Sequence, residues 1–233
     1  MTSKSETKRK WRRAAGWSLL ALALVPALVA GTWTAAQAAA TAAVQANLSN
    51  AEVRSEETEA GNIVADALRQ SAGADIAFVP AAVFRAGATA PRPASAEQVA
   101  SLVDPATDVV VILPVRGDRV LAALERAVSF APQASAGFLQ VSGIKFRFDP
   151  RKGSQQRVSE VTVNGQPLVA TQVYRIAMPQ PLSIGQQGYF QVWDRDAKPN
   201  STGKTIADAL SEYARSRGGN LSAGVEGRIQ MVK

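Results

Sequence analysis

The chain has 233 residues, of which 46% are hydrophobic and 19% are charged, a composition typical of one folded domain with a core. It contains no cysteine and no histidine, which excludes a disulfide framework, a thiolate metal site, lipid attachment at a cysteine, and Ser-His-Asp or Cys-His catalysis. The formal net charge is +7.

Most of this positive charge lies at the N-terminus. Residues 1–38 hold six basic residues and one acidic residue, so the remaining 20 basic and 18 acidic residues give the rest of the chain a net charge of +2. Nucleic-acid binding requires a basic face on the folded part of a protein. We therefore expect no nucleic-acid partner.

Residues 1–38 have the layout of a signal peptide or a membrane anchor. The basic cluster Lys8–Arg13 precedes the uncharged residues 14–36, and Ala36-Gln37-Ala38 fits a cleavage site. An uncleaved anchor formed by residues 14–36 is the alternative, because about 20 apolar residues span a bilayer. In both cases positive charge stays in the cytoplasm. We expect a secreted, periplasmic or extracellular protein whose only membrane contact is this segment, if it is uncleaved.

Residues 39–50 are rich in alanine and are predicted to be a linker before a single domain at 51–233. Within that domain, capping residues and apolar periodicity predict four helices. They are a helix capped by Thr58 and running through Gln70, a short helix opened by Ser95-Ala96-Glu97-Gln98, a helix capped by Asp118, and a helix over Thr205–Arg215 that ends near Gly218-Gly219.

Short apolar and β-branched runs predict the strands. These are Asp75–Val79, Val109–Leu113, Phe138–Val141, Ile144–Phe148, Val158–Val163 and Arg228–Val232, with Val169 and Val173–Ala177 continuing the sheet. Asn164-Gly165 predicts a tight turn, and Pro80–Pro93 is predicted to be a loop. The order of elements predicts an α/β fold of mixed α+β type in one domain.

Several short segments also form an ordered series of motifs. The most informative is Gly137-Phe138-Leu139-Gln140-Val141-Ser142-Gly143-Ile144-Lys145-Phe146-Arg147-Phe148-Asp149. The others are Arg54–Thr58 with Gly61–Ala67, Gly73–Val79, Gly117 with Leu121–Glu125, Val161–Leu168, Tyr174–Ala177, Gly185 with Gly188-Tyr189, and Gly227–Ile229. In this order and spacing, over about residues 52–230, they resemble the C-terminal domain of 5′-nucleotidases, the half of those enzymes that holds the nucleotide.

The resemblance implies which residues contact substrate. They are Arg85, Phe138, Gln140, Gln187 and Tyr189. Phe138 would stack on a base, and the Arg85 guanidinium would hold an anionic group. Family members hydrolyse phosphate esters at a histidine-rich two-metal site in their other domain. The resemblance therefore implies no catalytic residue, metal ligand or cofactor in this chain.

The sequence departs from the family pattern at several binding positions. The family loop Asn-Gly-Gly-Gly-Ile-Arg is here Pro80–Arg85, in which only Arg85 is kept. The second base-stacking aromatic falls near Pro181, and Gln187 replaces the aspartate that would accept ribose hydroxyl bonds. Losing one stacking partner costs about 1–3 kcal/mol, and losing a charge-assisted bond costs about 1 kcal/mol or more. Together these losses would weaken a micromolar ligand to roughly millimolar.

Structural interpretations stand beside the functional ones. Phe138 fits a buried strand residue, Arg85 a solvated surface charge, and Gly185 and Gly188 simple turn glycines. Acids at 56, 57 and 59 resemble a metal-binding cluster, but they also suit a helix start, where carboxylates face the positive end of the dipole.

Three functions remain open from the sequence. The first is an extracytoplasmic module that binds a nucleotide, a nucleoside or a related ligand. The second is the substrate-binding subunit of a two-chain 5′-nucleotidase, whose separate metallophosphoesterase chain supplies the metals. The third is a structural or interaction protein that reuses the fold and binds no small ligand. Hydrolysis by this chain alone is not expected.

Overall fold

A computed structural model of the protein describes residues 47–193, 196 and 198–232. The predicted signal peptide or anchor at 1–38, and residues 39–46 of the predicted linker, lie outside these described residues. The last residues of that linker form strand β1 (Asn47–Ser49), in which Leu48 is fully buried. The ordered fold thus begins before residue 51. The described residues belong to one compact unit, and none of their helices is long and apolar enough to cross a membrane.

Five helices are found in this part of the chain. They are α1 (Glu59–Ala72), α2 (Ala96–Ala100), α3 (Gly117–Ala127), α4 (Gln180–Ser183) and α5 (Ile206–Ser216), with 3-10 turns at Ala81–Val83 and Gln186–Gln191. The predicted caps are confirmed for three of them. The Thr58 hydroxyl accepts from the Gly61 N–H at 3.0 Å, and complete capping boxes formed by Ser95 with Gln98 and by Thr205 with Asp208 open α2 and α5.

The start of α3 corrects one prediction. Asp118 lies inside the first turn, and Arg116 occupies the cap position without a capping side chain. The Gly117 and Asp118 N–H groups instead donate to the carbonyl oxygens of Gln172 and Ala170, at 2.8 and 2.9 Å. A neighbouring loop thus satisfies the free donors of this helix end, a tertiary contact with no local sequence signal.

The central sheet has five strands, β2 (Ile76–Pro80), β4 (Val109–Arg116), β5 (Leu139–Ser142), β9 (Val173–Pro179) and β10 (Asn200–Thr205). Their spatial order is β10-β4-β9-β2-β5. Only the pair β2 and β9 is parallel, and the other three pairs are antiparallel. β2 is buried at every position, as expected for a strand with packed layers on both faces.

The remaining strands are β3 (Thr89–Pro91), β6 (Ile144–Phe148), β7 (Val158–Val163), β8 (Gln166–Pro167) and β11 (Ile229–Met231). A second sheet has the order β11-β6-β7-β8, and a small third sheet pairs β1 with β3. The predicted turn joins β7 to β8, with φ of 49° at Asn164 and 82° at Gly165. The predicted α/β fold of mixed α+β type is confirmed.

Two predictions about loops and strands were wrong. The Pro80–Pro93 loop contains β3, which pairs with β1, a partner that no local pattern announces. Val169 is not in a strand, whereas the predicted strand at Val173–Ala177 is confirmed as β9, which lies in the central sheet. The Val169 N–H donates to the Tyr174 hydroxyl at 3.0 Å, and the loop at 168–172 is hydrogen-bonded to the start of α3.

Candidate functional site

Three segments meet at the start of β5. After β2, the N–H groups of Ala81 and Ala82 donate to the carbonyl oxygens of Phe138 and Ala136, each at 2.8 Å. From the other direction, the Tyr189 hydroxyl donates to the carbonyl oxygen of Gly137, also at 2.8 Å. The fold therefore brings the loop that leads to Arg85 and the turn that carries Gln187 to the same strand end.

Phe138 and Tyr189 are core residues in this structure. Their exposed fractions are 2% and 0%, and Tyr189 stacks on Trp193 with ring centroids 5.5 Å apart. Burial raises the pKa of the Tyr189 phenol, which therefore stays protonated and acts as a hydrogen-bond donor. The Phe138 ring agrees with the structural interpretation of a buried strand residue. A stacking role for it would require the ring to be uncovered.

Gln140 has a structural task that the sequence did not indicate. Its side chain is fully buried and turned toward the segment that enters α1. Its Oε1 accepts from the Thr58 N–H at 3.0 Å, and its Nε2 donates to the carbonyl oxygens of Val53 and Glu56 at 3.0 and 2.6 Å. These bonds use the amide in joining β5 to α1, which corrects its assignment as a ligand contact.

Gln187 and Arg85 are more exposed to solvent than the three buried residues of the predicted site. Gln187 lies half-buried in the left-handed region at φ 58°, and its carbonyl oxygen accepts from the Arg126 guanidinium. The Arg85 guanidinium lies 3.6 Å from the Asp104 carboxylate, and the two side chains are 55% and 64% exposed. Exposed pairs of this kind contribute at most about 1 kcal/mol. An incoming anion could therefore replace Asp104 as the partner of Arg85.

The predicted acidic cluster at 56, 57 and 59 separates into different roles. Glu57 is buried, and its carboxylate accepts from the N–H groups of Glu226 and Arg228 at 2.7 and 2.6 Å and from Asn62 Nδ2 at 2.7 Å. Glu59 lies in the first turn of α1, as the helix-start interpretation expected, and pairs with Arg92 at 2.8 Å. Among the described residues, no group of three Asp or Glu side chains is placed to hold a metal ion.

Arg228 and Asp66 form a further network at the end of the chain. Two guanidinium nitrogens of Arg228 donate to the two Asp66 oxygens at 2.8 and 2.9 Å. Burial acts to lower the pKa of Arg228, but the bonds and charges of Asp66 and Glu226 outweigh it and raise that pKa. Ser142 of the central motif also donates to Asp66. This network gives Ser142 and Arg228 of the motifs a structural role, because their bonds join β5 and the C-terminal segment to Asp66 on α1.

A surface groove of 750 Å³ lies beside the turn that carries Gln187. It is bounded by α3, the residues after α3, the loop after β6 and the turn at 186–192. Of the predicted site residues none lines it, although Gly188 does.

Comparison with known proteins gives a family match over residues 34–195, to the family described as 5′-nucleotidase, C-terminal domain. The trifunctional nucleotide phosphoesterase protein YfkN of Bacillus subtilis is 28% identical over 189 residues, which are 77% of this chain and 13% of that protein. A 5′-nucleotidase of Diplobatis ommata is 29% identical over 210 residues, 82% of this chain and 36% of that protein.

Among solved structures, the 5′-nucleotidase precursor of Thermus thermophilus is similar, with a TM-score of 0.71 and 27% identity. The match covers 86% of this chain and 42% of that chain. The protein thus spans less than half the length of these relatives.

Proposed function

Since the chain belongs to the 5′-nucleotidase C-terminal domain family, we propose that it is an extracytoplasmic recognition domain for a nucleotide- or nucleoside-type ligand. We expect no metal-dependent hydrolase site in it, because the described residues assemble no acidic metal-binding group and the sequence has no histidine. Nucleic acid is not among its partners, and it requires no cofactor. Export rests on the N-terminal segment at 1–38, which acts as a cleaved signal peptide or as an anchor through residues 14–36.

One observation carries the proposal, namely the meeting of three segments at the start of β5. The loop before Arg85 and the turn at 185–192 both hydrogen-bond to residues 136–138. Arg85 adds an exposed cation that forms a solvated pair with Asp104. A guanidinium of this kind binds a phosphate in a bidentate manner. The arrangement supports an anionic group at Arg85, with its organic part directed toward the turn.

The experiment is a calorimetric titration of the full chain with AMP and with adenosine. We expect saturable binding in the millimolar range, on the order of −4 kcal/mol. Arg85→Ala should weaken AMP more than adenosine, since only AMP carries the anionic group. Arg147→Ala is the matched control, because Arg147 also forms an exposed pair, with Glu160 at 3.0 Å. Absence of saturable binding of both ligands at millimolar concentration would refute the proposal.

The absence of autonomous hydrolysis is tested separately. Two-metal phosphoesterases need several carboxylate, amide or imidazole ligands around a bridging water. In the described part of the chain no such acidic group is assembled, and the sequence has no histidine. Divalent-metal-dependent release of phosphate from AMP by the pure chain would contradict the proposal.

A two-chain enzyme is the second candidate. It is favoured by the lack of histidine in this sequence, because the metal site of the 5′-nucleotidases it resembles is rich in histidine. A separate metallophosphoesterase chain would then supply the metals, and the pair would act as a 5′-nucleotidase-type phosphoric monoester hydrolase. Phosphatase activity that appears only on mixing the two chains would support it, and activity of the partner chain unchanged by this domain would reject it.

The 2% exposure of Phe138 favours a third candidate, a structural or interaction protein that binds no small ligand. It predicts that neither AMP nor adenosine shifts the melting temperature. It also predicts that the solvent accessibility of Phe138, measured by chemical labelling of its ring or by hydrogen exchange of its amide, stays unchanged when either compound is added.

A further inference from the structure

The groove beside α3 has the size of a small-molecule site and is built from segments far apart in sequence. Its volume is 750 Å³, within the usual range of about 300–1,000 Å³ for ligand pockets. The lining residues that matter chemically are Leu121, Glu125, Arg126, Phe130, Ser154 and Gln191.

Glu125 brings a carboxylate oxygen that lacks a partner. The side chain is 9% exposed, and its Oε1 accepts from the Val158 N–H at 2.8 Å. Its Oε2 is buried and has no hydrogen-bond partner among the residues that the structure describes. A buried acceptor without a donor is unfavourable, and a ligand N–H that reaches it would remove that cost.

Phe130, which follows α3, offers an aromatic ring in the same groove. The ring is 55% exposed, which is unusual for so large an apolar side chain. The Arg126 guanidinium lies 5.3 Å from its centroid and is itself fixed by bonds to Ser129 Oγ and the Gln187 carbonyl oxygen. This fixed cation disfavours a second positive charge beside the ring, so a ligand there should be neutral.

From these contacts we infer that the groove is a ligand site for a neutral, planar heteroaromatic ring that carries an N–H group, such as a free nucleobase. The ring packs on Phe130, and its N–H donates to Glu125 Oε2. Neither Arg85 nor Phe138 lines this groove, although it shares the turn at 186–192 with the proposed nucleotide site. It can therefore be present or absent independently of the proposed nucleotide recognition.

The test uses the full chain, adenine, and the pair benzimidazole and 1-methylbenzimidazole, at a mildly alkaline pH where all are neutral. We expect adenine and benzimidazole to give saturable calorimetric binding with a Kd of about 1 mM or below. Methylation removes the N–H and should abolish the binding. Phe130→Ala should weaken benzimidazole about tenfold, equivalent to about 1.4 kcal/mol.

Glu125→Gln should give a similar loss, because the amide can keep the bond to Val158 only by turning its own donor toward the ligand. Phe190→Ala is the control, since Phe190 is 66% exposed and does not line the groove. Equal binding of the methylated compound, or full affinity in Phe130→Ala, would overturn the inference, as would no saturable binding. Loss of benzimidazole binding in Arg85→Ala alone would also overturn the inference, but it would leave nucleotide recognition standing. Ring binding in the groove without saturable binding of either AMP or adenosine would refute only the proposed function.

Discussion

The phenol of Tyr189 donates to the carbonyl oxygen of Gly137 across 2.8 Å, and so ties the turn at 185–192 to the residue before Phe138. Tyr189 is fully buried, and the burial raises the pKa of its phenol. The donor is therefore present at every physiological pH. This bond joins two of the segments that the family resemblance assigns to ligand recognition.

Tyr189→Phe should remove this bond while keeping the ring and its stacking on Trp193. The Gly137 carbonyl oxygen would lose its partner in the core, so we expect the free energy of unfolding to fall by about 1–3 kcal/mol. Urea denaturation followed by circular dichroism measures the change. Phe190→Ala, at an exposed position of the same turn, should change stability by less than about 0.5 kcal/mol. Equal stability of Tyr189→Phe and the native chain would show that the bond contributes little.

Glu57→Ala should destabilise the fold strongly. The carboxylate holds Asn62 and the N–H groups of Glu226 and Arg228, so its removal leaves several buried donors unpaired. We expect a loss of about 3 kcal/mol or more. The neighbouring Glu56 is exposed, and Glu56→Ala is expected to be nearly neutral. Thermal unfolding of the two variants gives the comparison, and similar melting temperatures would contradict this role of Glu57.

Gly61→Ala tests the packing of Gln140 on α1. A Cβ at Gly61 would lie 2.1 Å from Gln140 Oε1 and 2.5 Å from its Cγ. The amide cannot move without breaking its bonds to Thr58, Val53 and Glu56. We expect a loss of about 2–3 kcal/mol, although alanine is the better helix former by about 1 kcal/mol.

The matched control for this variant is Gly153→Ala, where an added Cβ meets nothing within 4 Å. Chemical denaturation is measured for Gly61→Ala, Gly153→Ala, Gln140→Ala and the double variant Gly61→Ala with Gln140→Ala. The comparison separates the effect of the clash from the effect of losing the Gln140 bonds. In the double variant the clash is gone, so the two effects should be less than additive. Strict additivity would show that Gly61 is not constrained by Gln140.

Arg151→Ala should raise the pKa of Asp149. The Arg151 guanidinium donates to both Asp149 oxygens, at 2.8 and 2.9 Å, and its backbone N–H adds a third bond, which together lower the Asp149 pKa to about 2. The pKa of an aspartate in an unfolded chain is about 3.9. The pair therefore stabilises the fold above about pH 4, and this contribution is lost as the pH falls through 4 toward 2.

Carboxyl NMR titration of Asp149 measures the change, and we expect its pKa to move toward about 3.9 in the variant. Arg147→Ala should leave it unchanged, because Arg147 pairs with Glu160. An unchanged Asp149 pKa in Arg151→Ala would assign the low value to another cause.

Local patterns were sufficient for much of the fold. Thr58, Ser95 and Thr205 cap helices as predicted, because each supplies a hydroxyl to an N–H only three residues away. Asn164-Gly165 makes the predicted hairpin turn, because these residues tolerate positive φ. The C-terminal strand was likewise predicted from its apolar residues, within a residue or two at each end.

The site was less accessible to sequence reasoning. The resemblance assigned Phe138 and Gln187 to ligand contact, and the structure joins their segments through the bond from Tyr189 to Gly137. The motifs could not predict which side chains face solvent. Gln140 turns inward because unpaired backbone groups at 53, 56 and 58 need a partner, and those groups lie more than 80 residues away in sequence.

The sequence by itself determined the family, the mixed α/β class, most helix caps and the lack of any histidine or cysteine chemistry, because each of these depends on residue identity or on neighbours within a few positions. Only the tertiary structure decided that Phe138 and Gln140 are buried, that Glu57 holds the C-terminal segment, and that Glu125 and Phe130 share a groove. Burial and pairing of this kind arise from contacts between distant segments, whose geometry no local pattern of residues specifies.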